Sequence, residues 1–137
     1  MKVDHIGIAV KDLEGSLERW AKVLNLRVRG VEEIKERGVK VVQLELDEGP
    51  SIELVTPSGE ESPVEKFIRE RGEGIHHFSF EVQDIKGAMR ELKEKGIQFI
   101  HNEPQKGAEG SWIAFIHPSH FNGVLLELKE KRKAEKD

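Results

Sequence analysis

The chain repeats itself, and that limits how it can fold. The opening run Asp4-His5-Ile6-Gly7-Ile8-Ala9-Val10 is restated within Gly74-Ile75-His76-His77-Phe78-Ser79-Phe80-Glu81-Val82, and His5/His77, Asp12/Asp84 and Gly15/Gly87 all lie 72 residues apart. Near the end of each copy an acid interrupts an apolar run: Glu53 in Ser51-Ile52-Glu53-Leu54-Val55 and Glu127 in Leu125-Leu126-Glu127-Leu128. With 137 residues shared between two copies, each half is too small to be comfortably stable alone. The expectation is therefore one cooperative domain over residues 1–137. Repeat unit one covers about 3–56, a linker with a helix 57–72, repeat unit two about 74–129, and a charged tail 130–137.

Residue periodicity names the elements. Val3 to Val10 alternates, with Ile6, Ile8 and Val10 on one face and His5, Gly7 and Ala9 on the other, which is the signature of a strand. Asp12 is placed to N-cap a helix whose apolar stripe is Leu13, Leu17, Trp20 and Leu24, covering the isoleucine face. Strands are predicted over 26–34, 39–46 and 51–55, giving a β-α-β-β-β unit. Ser62-Pro63-Val64-Glu65 combines a capping box with proline at the first helical position, so a short helix should run to about Arg71. The pattern then restarts, with a cap at Asp84, a helix carrying Ile85, Ala88, Met89 and Leu92, and strands over 97–101, 111–117 and 124–128. From Lys129 the chain is nearly all charge and reads as a solvated or frayed tail.

Composition narrows the chemistry. With no cysteine, a disulfide framework, a thiolate zinc site and a cysteine nucleophile are all excluded, so any metal ligands must be His, Asp or Glu. A net charge of −4 without a clustered basic excess argues against nucleic acid as partner. No apolar leader or membrane-length run is visible, and a cytoplasmic location with no membrane partner is the expectation. No glycine-rich phosphate loop occurs; Gly107-Ala108-Glu109-Gly110 reads as a loop between strands. Lys40, Lys66 and Lys106 read as solvated charges.

Side-chain parity brings the acids and histidines into one argument. His5 and His77 lie opposite the faces that the helices cover, and Glu53 and Glu127 alternate against their apolar neighbours in the same way. If two curved sheets face each other through a pseudo-twofold, His5, Glu53, His77 and Glu127 converge. Such nitrogen and oxygen donors suit a divalent ion, cobalt placed first, with nickel, manganese or zinc as alternatives. His76 has the opposite parity and reads as structural. His101, His117 and His120 have no repeat partner and read as turn or surface residues.

This arrangement of β-α-β-β-β twice over, with those four residues, resembles the vicinal oxygen chelate superfamily. The resemblance spans residues 3–129 and implies an α+β fold: two tandem βαβββ modules forming a curved mixed sheet around a metal-containing cavity. Within the superfamily, Ile52-Glu53-Leu54-Val55-Thr56-Pro57, Ser62-Pro63-Val64, the doubled His76-His77, and His117-Pro118 followed by Gly123-Val124-Leu125-Leu126-Glu127-Leu128 are most similar to the methylmalonyl-CoA epimerases. That likeness implies an acyl-CoA substrate, a homodimer, and metal-assisted removal and return of the C2 proton through an enolate. It makes Glu127 the first catalytic candidate. A second base remains open between Glu53 and Glu45, because the position where some epimerases carry a glutamate is Val41 here; Gln43 and Glu45 share its parity. Relatives often have a lysine after His-Pro, and this chain has Ser119. A glyoxalase I-type lyase and a non-catalytic small-molecule binder of the same fold are the alternative readings.

Overall fold

In the computed structural model, residues 1–59 and 61–133 are described. They form a mixed α+β fold in which the element order β-α-β-β-β occurs twice. The first set is β1 (Lys2–Ala9), α1 (Leu13–Leu17), β2 (Arg27–Ile34), β3 (Val39–Glu45) and β4 (Ser51–Pro57). After α2 (Pro63–Arg71) come β5 (Gly74–Glu81), α3 (Ile85–Glu94), β6 (Gln105–Lys106), β7 (Trp112–Ile116) and β8 (Leu126–Glu130). Two compact units result, one of His5–His76 and one of Met1–Asp4 with the chain from His77 on, so the division cuts β1 and β5 rather than a loop. Among the described residues no helix is long and apolar enough to cross a membrane.

In the His5–His76 unit the strand order is β2-β3-β4-β1. Strands β1 and β4 are parallel with Gly7 opposite Glu53, and β3 and β4 are antiparallel with Gln43 opposite Glu53. The other unit repeats this arrangement. Its order runs β5-β8-β7-β6, with Ser79 opposite Glu127 in the parallel pair and Phe115 opposite Glu127 in the antiparallel pair. The two acids thus occupy equivalent places, each on a strand flanked by one parallel and one antiparallel neighbour.

Each unit has its own apolar core. Val10, Val42, Leu44 and Leu54 are buried together in the first, with Ile8, Leu13, Leu17 and Trp20 packed against them. In the second, Ile85, Met89, Phe99, Ala114, Ile116 and Leu128 play the same part. The repeated Asp-x-x-Gly has a steric origin. A Cβ on Gly15 would stand 2.6 Å from Asp12 Oδ2, and one on Gly87 would stand 2.4 Å from Asp84 Oδ2. Only glycine lets the aspartate fold back over the first helical turn. Asp84 accepts a hydrogen bond from Gly87 N at 3.2 Å, a side-chain cap. Asp12 holds the same position without a side-chain cap bond, and its carbonyl accepts from Ser16 N and Oγ instead.

Three expectations are corrected. The first helix is α-helical only to Leu17 and continues as a π-helix over Glu18–Val23, closed by Leu24 N to Arg19 O and Leu26 N to Ala21 O. The wider turn rotates the stripe, so Ala21 and Leu26 reach the core while Leu24 stays 57% exposed. The strand expected over 97–101 is reduced to a single bridge, Phe99 to Ile116, although Ile100 N still donates to Phe115 O. Asn102-Glu103-Pro104 breaks the run, and the short β6 pairs with β7 in its place. Nor does a solvated tail begin at Lys129. That residue belongs to β8, is buried, and donates from Nζ to Asp4 Oδ2 at 2.9 Å. Lys131 adds contacts of 3.7 Å to Asp4 and 3.2 Å to Glu81. Pairing of Glu81 with Lys129 in the β5–β8 ladder carries the charge inward, where Asp4 balances it. Residues 134–137 of the expected tail and Glu60 of the expected linker lie outside the described residues.

Asp4→Ala strips the partner from a buried ammonium and is expected to cost about 3–5 kcal/mol in urea unfolding. The double variant Asp4→Leu/Lys129→Met should recover most of that loss. A single-variant cost below about 1 kcal/mol would show that the pair contributes little.

Candidate metal and acid–base site

Strand pairing places the His–Glu pair of the His5–His76 unit. His5 on β1 and Glu53 on β4 are both buried, at 3% and 5% exposure. His5 Nε2 stands 3.6 Å from Glu53 Oε2, and Gln43 on β3 donates from Nε2 to the same oxygen at 2.6 Å. The first distance is too long for a hydrogen bond and the second is short and strong. In-register pairing of Gln43 with Glu53 explains the contact: residues directly opposite in a ladder project their side chains to one face.

The pair in the other unit is built in the same way from β5 and β8. His77 and Glu127 are buried at 2% and 3%, and each offers a ligand atom within 4.8 Å of the other. Phe115, opposite Glu127, packs edge-on to the His77 ring with centroids 5.8 Å apart and planes at 89°. The phenyl ring limits the rotation of the imidazole. Ser79, opposite Glu127 in the parallel ladder, is fully buried, and its Oγ has no hydrogen-bond partner among the described residues.

Side chains of the same types lie elsewhere in structural roles. His76 packs edge-on against Phe67 at 4.9 Å, which in turn carries the Arg71 guanidinium at 5.6 Å, in keeping with the reading of His76 as structural. His117 caps the short 3₁₀ turn Pro118–Phe121, its Nδ1 accepting from Ser119 N at 3.2 Å. The Nε2 of His120 accepts from Gln98 N at 2.9 Å, and His101 is exposed. Glu45 is engaged by Arg27 and Arg29, the latter at 3.8 Å. Its carboxylate is tied to two arginines, while Gln43 of the same parity faces Glu53. The direct opposition of Gln43 and Glu53 was not legible from parity; it requires the β3–β4 register. Lys40, Lys66 and Lys106 are solvent-exposed, as expected.

Each unit offers donor types that suit a divalent cation. Two imidazoles and two carboxylates, all buried, offer nitrogen and oxygen donors, and buried carboxylates need a cation or a dense set of hydrogen bonds to offset lost hydration.

The sequence model for the glyoxalase/bleomycin resistance protein/dioxygenase superfamily matches residues 4–115. The chain belongs to that superfamily. Within the superfamily it is similar to an ethylmalonyl-CoA/methylmalonyl-CoA epimerase of Cereibacter sphaeroides, 37% identical over 131 residues that span 94% of this chain and 97% of the relative. Among solved structures, the methylmalonyl-CoA epimerase from Mycobacterium tuberculosis superposes with a TM-score of 0.93 at 31% identity, covering 98% of this chain and 91% of the other. A methylmalonyl-CoA epimerase in complex with methylmalonyl-CoA and NH4+ gives 0.92 at 32% identity, covering 96% and 95%. Both alignments span nearly the whole chain, whereas the superfamily match stops before Glu127.

His76→Ala is expected to cost about 1 kcal/mol of stability by denaturant titration, through lost packing on Phe67. Calorimetric titration with cobalt should find ion uptake unchanged; a loss of uptake would show that His76 serves the site.

Proposed function

We propose that the chain is a metal-dependent epimerase of methylmalonyl-CoA, with His5, Glu53, His77 and Glu127 as ligands of one divalent ion and Glu127 and Glu53 as the acid–base pair. The observation that carries this reading is the duplicated buried His–Glu pair. Each of His5, His77 and Glu127 is buried and offers one ligand atom, and Glu53 lies beside His5. Similarity to epimerases along almost the full chain supports the substrate class. Cobalt is the ion we favour, and we place the two repeats in one catalytic domain.

The reaction asks little of the protein beyond proton transfer and charge. Base attack breaks the C2–H bond, the electron pair moves into the thioester carbonyl, and a proton returns to C2 from the opposite face. A divalent ion supplies the positive charge that offsets the negative charge developing on the substrate oxygens. Glu127 is the first base. It lies on a strand fixed on both sides by β5 and β7, and the ring of Phe115 opposite it keeps the neighbouring surface apolar. Glu53 is the second, because inversion needs a proton carrier on each face and Glu45 is held by arginines. The exposed Val28 and Val31 on the edge strand β2 provide an apolar surface for a second copy of the chain, and we propose a homodimer.

Proton NMR in heavy water should show loss of the C2 proton signal of methylmalonyl-CoA when cobalt-loaded protein is added, and a return to the spontaneous rate after chelation. Glu127→Gln should slow exchange by about 10²–10⁴-fold, while Glu45→Gln leaves it within about twofold. An occupied metal site with no exchange would turn the assignment toward a glyoxalase-type isomerase.

A further inference from the structure

The two acid positions are equivalent in the repeat but differ in what stands opposite them. Glu127 faces Phe115, whereas Glu53 faces Gln43. Gln43 is an anomaly in its strand: Val41, Val42 and Leu44 around it are buried core residues at 2% or less, and Gln43 itself is 3% exposed. Its amide can meet Glu53 in one orientation only, since a flipped amide would set Oε1 against a carboxylate oxygen. With Nε2 donating at 2.6 Å, Oε1 faces away, and it is buried with no hydrogen-bond partner among the described residues. An unsatisfied buried acceptor is destabilising, so packing alone would favour an apolar side chain at this place.

We infer that Gln43 is a positioning residue for Glu53: its N–H holds one carboxylate oxygen, and so fixes the rotamer in which the acid is presented beside His5. His5 Nε2 stands 3.6 Å from that same oxygen, beyond hydrogen-bonding range. A glutamate side chain has three rotatable torsions, and ordering it without such a bond would draw on the binding free energy of the ion. The inference rests on the reading of Glu53 as a metal ligand. Gln43 touches neither substrate nor reacting atoms in this role; it acts through the carboxylate. The second repeat uses a different device, since the phenyl ring of Phe115 restrains His77 instead.

Gln43→Met keeps the length of the side chain and removes both amide groups. Titration of the metal-free protein with cobalt, followed by its visible absorption bands, should show affinity 10–100-fold weaker than wild type and altered band positions, the range expected when a hydrogen bond to a ligand is lost. The thermal midpoint of the metal-free variant should stay close to that of wild type, since Oε1 no longer lies buried without a partner while the Glu53 carboxylate loses one donor. Gln43→Leu provides the same test if the methionine variant does not fold. Wild-type affinity and bands in either variant would overturn the inference, as would a lowered metal-free midpoint that accounts for the loss of affinity. A wild-type protein that takes up no cobalt would sink both this inference and the metal reading. Cobalt uptake that depends on Gln43, without C2 exchange, would leave the inference standing and remove only the choice of substrate.

Discussion

Burying a carboxylate is the constraint from which most of this structure follows. Asp4, Glu53 and Glu127 lie in or beside apolar sheets, and each must recover the hydration it has lost. Asp4 does so with a fixed charge inside the protein, the Lys129 ammonium, reinforced by Lys131. Glu53 does so in part with a neutral donor, the amide of Gln43, and stands next to an imidazole. The first arrangement is closed and suits a structural role.

The repeat supplies the frame for this and then departs from itself where the two halves differ in use. Gly7 and Ser79 stand opposite the two acids in the parallel ladders, Gln43 and Phe115 opposite them in the antiparallel ones. The first helix loosens into a π-turn while α3 stays regular, and the expected second strand of the second copy shrinks to a bridge. Duplicated backbone topology with divergent side chains opposite the acids holds two equivalent glutamates in different surroundings.

Much of this was legible in the residues themselves. The strands bearing His5, Glu53, His77 and Glu127, the β-α-β-β-β order, and the parity that buries all four follow from a period of two, which any half-buried strand must obey. The Ser62 cap was readable because its chemistry is local: Ser62 Oγ accepts from Val64 N. Less legible was the π-helix. Its hydrogen bonds reach one residue further than those of an α-helix, and Leu13, Leu17, Trp20 and Leu24 fit an α-helical stripe equally well. Lys129 was misread because a lysine at the start of a charged run looks solvated unless Asp4, at the other end of the chain, is known to meet it.

Sequence alone determined the duplicated topology, the four buried donor residues and the exclusion of cysteine chemistry, because periodicity, residue type and repetition are properties of the chain. Tertiary structure decided which group faces which: Gln43 on Glu53, Phe115 on His77, Asp4 on Lys129, and Glu45 beside two arginines. Those pairings depend on strand register and on contacts between residues far apart in the chain. A shift of a strand by one residue would reverse its buried face, and a shift by two would keep the face but change every partner.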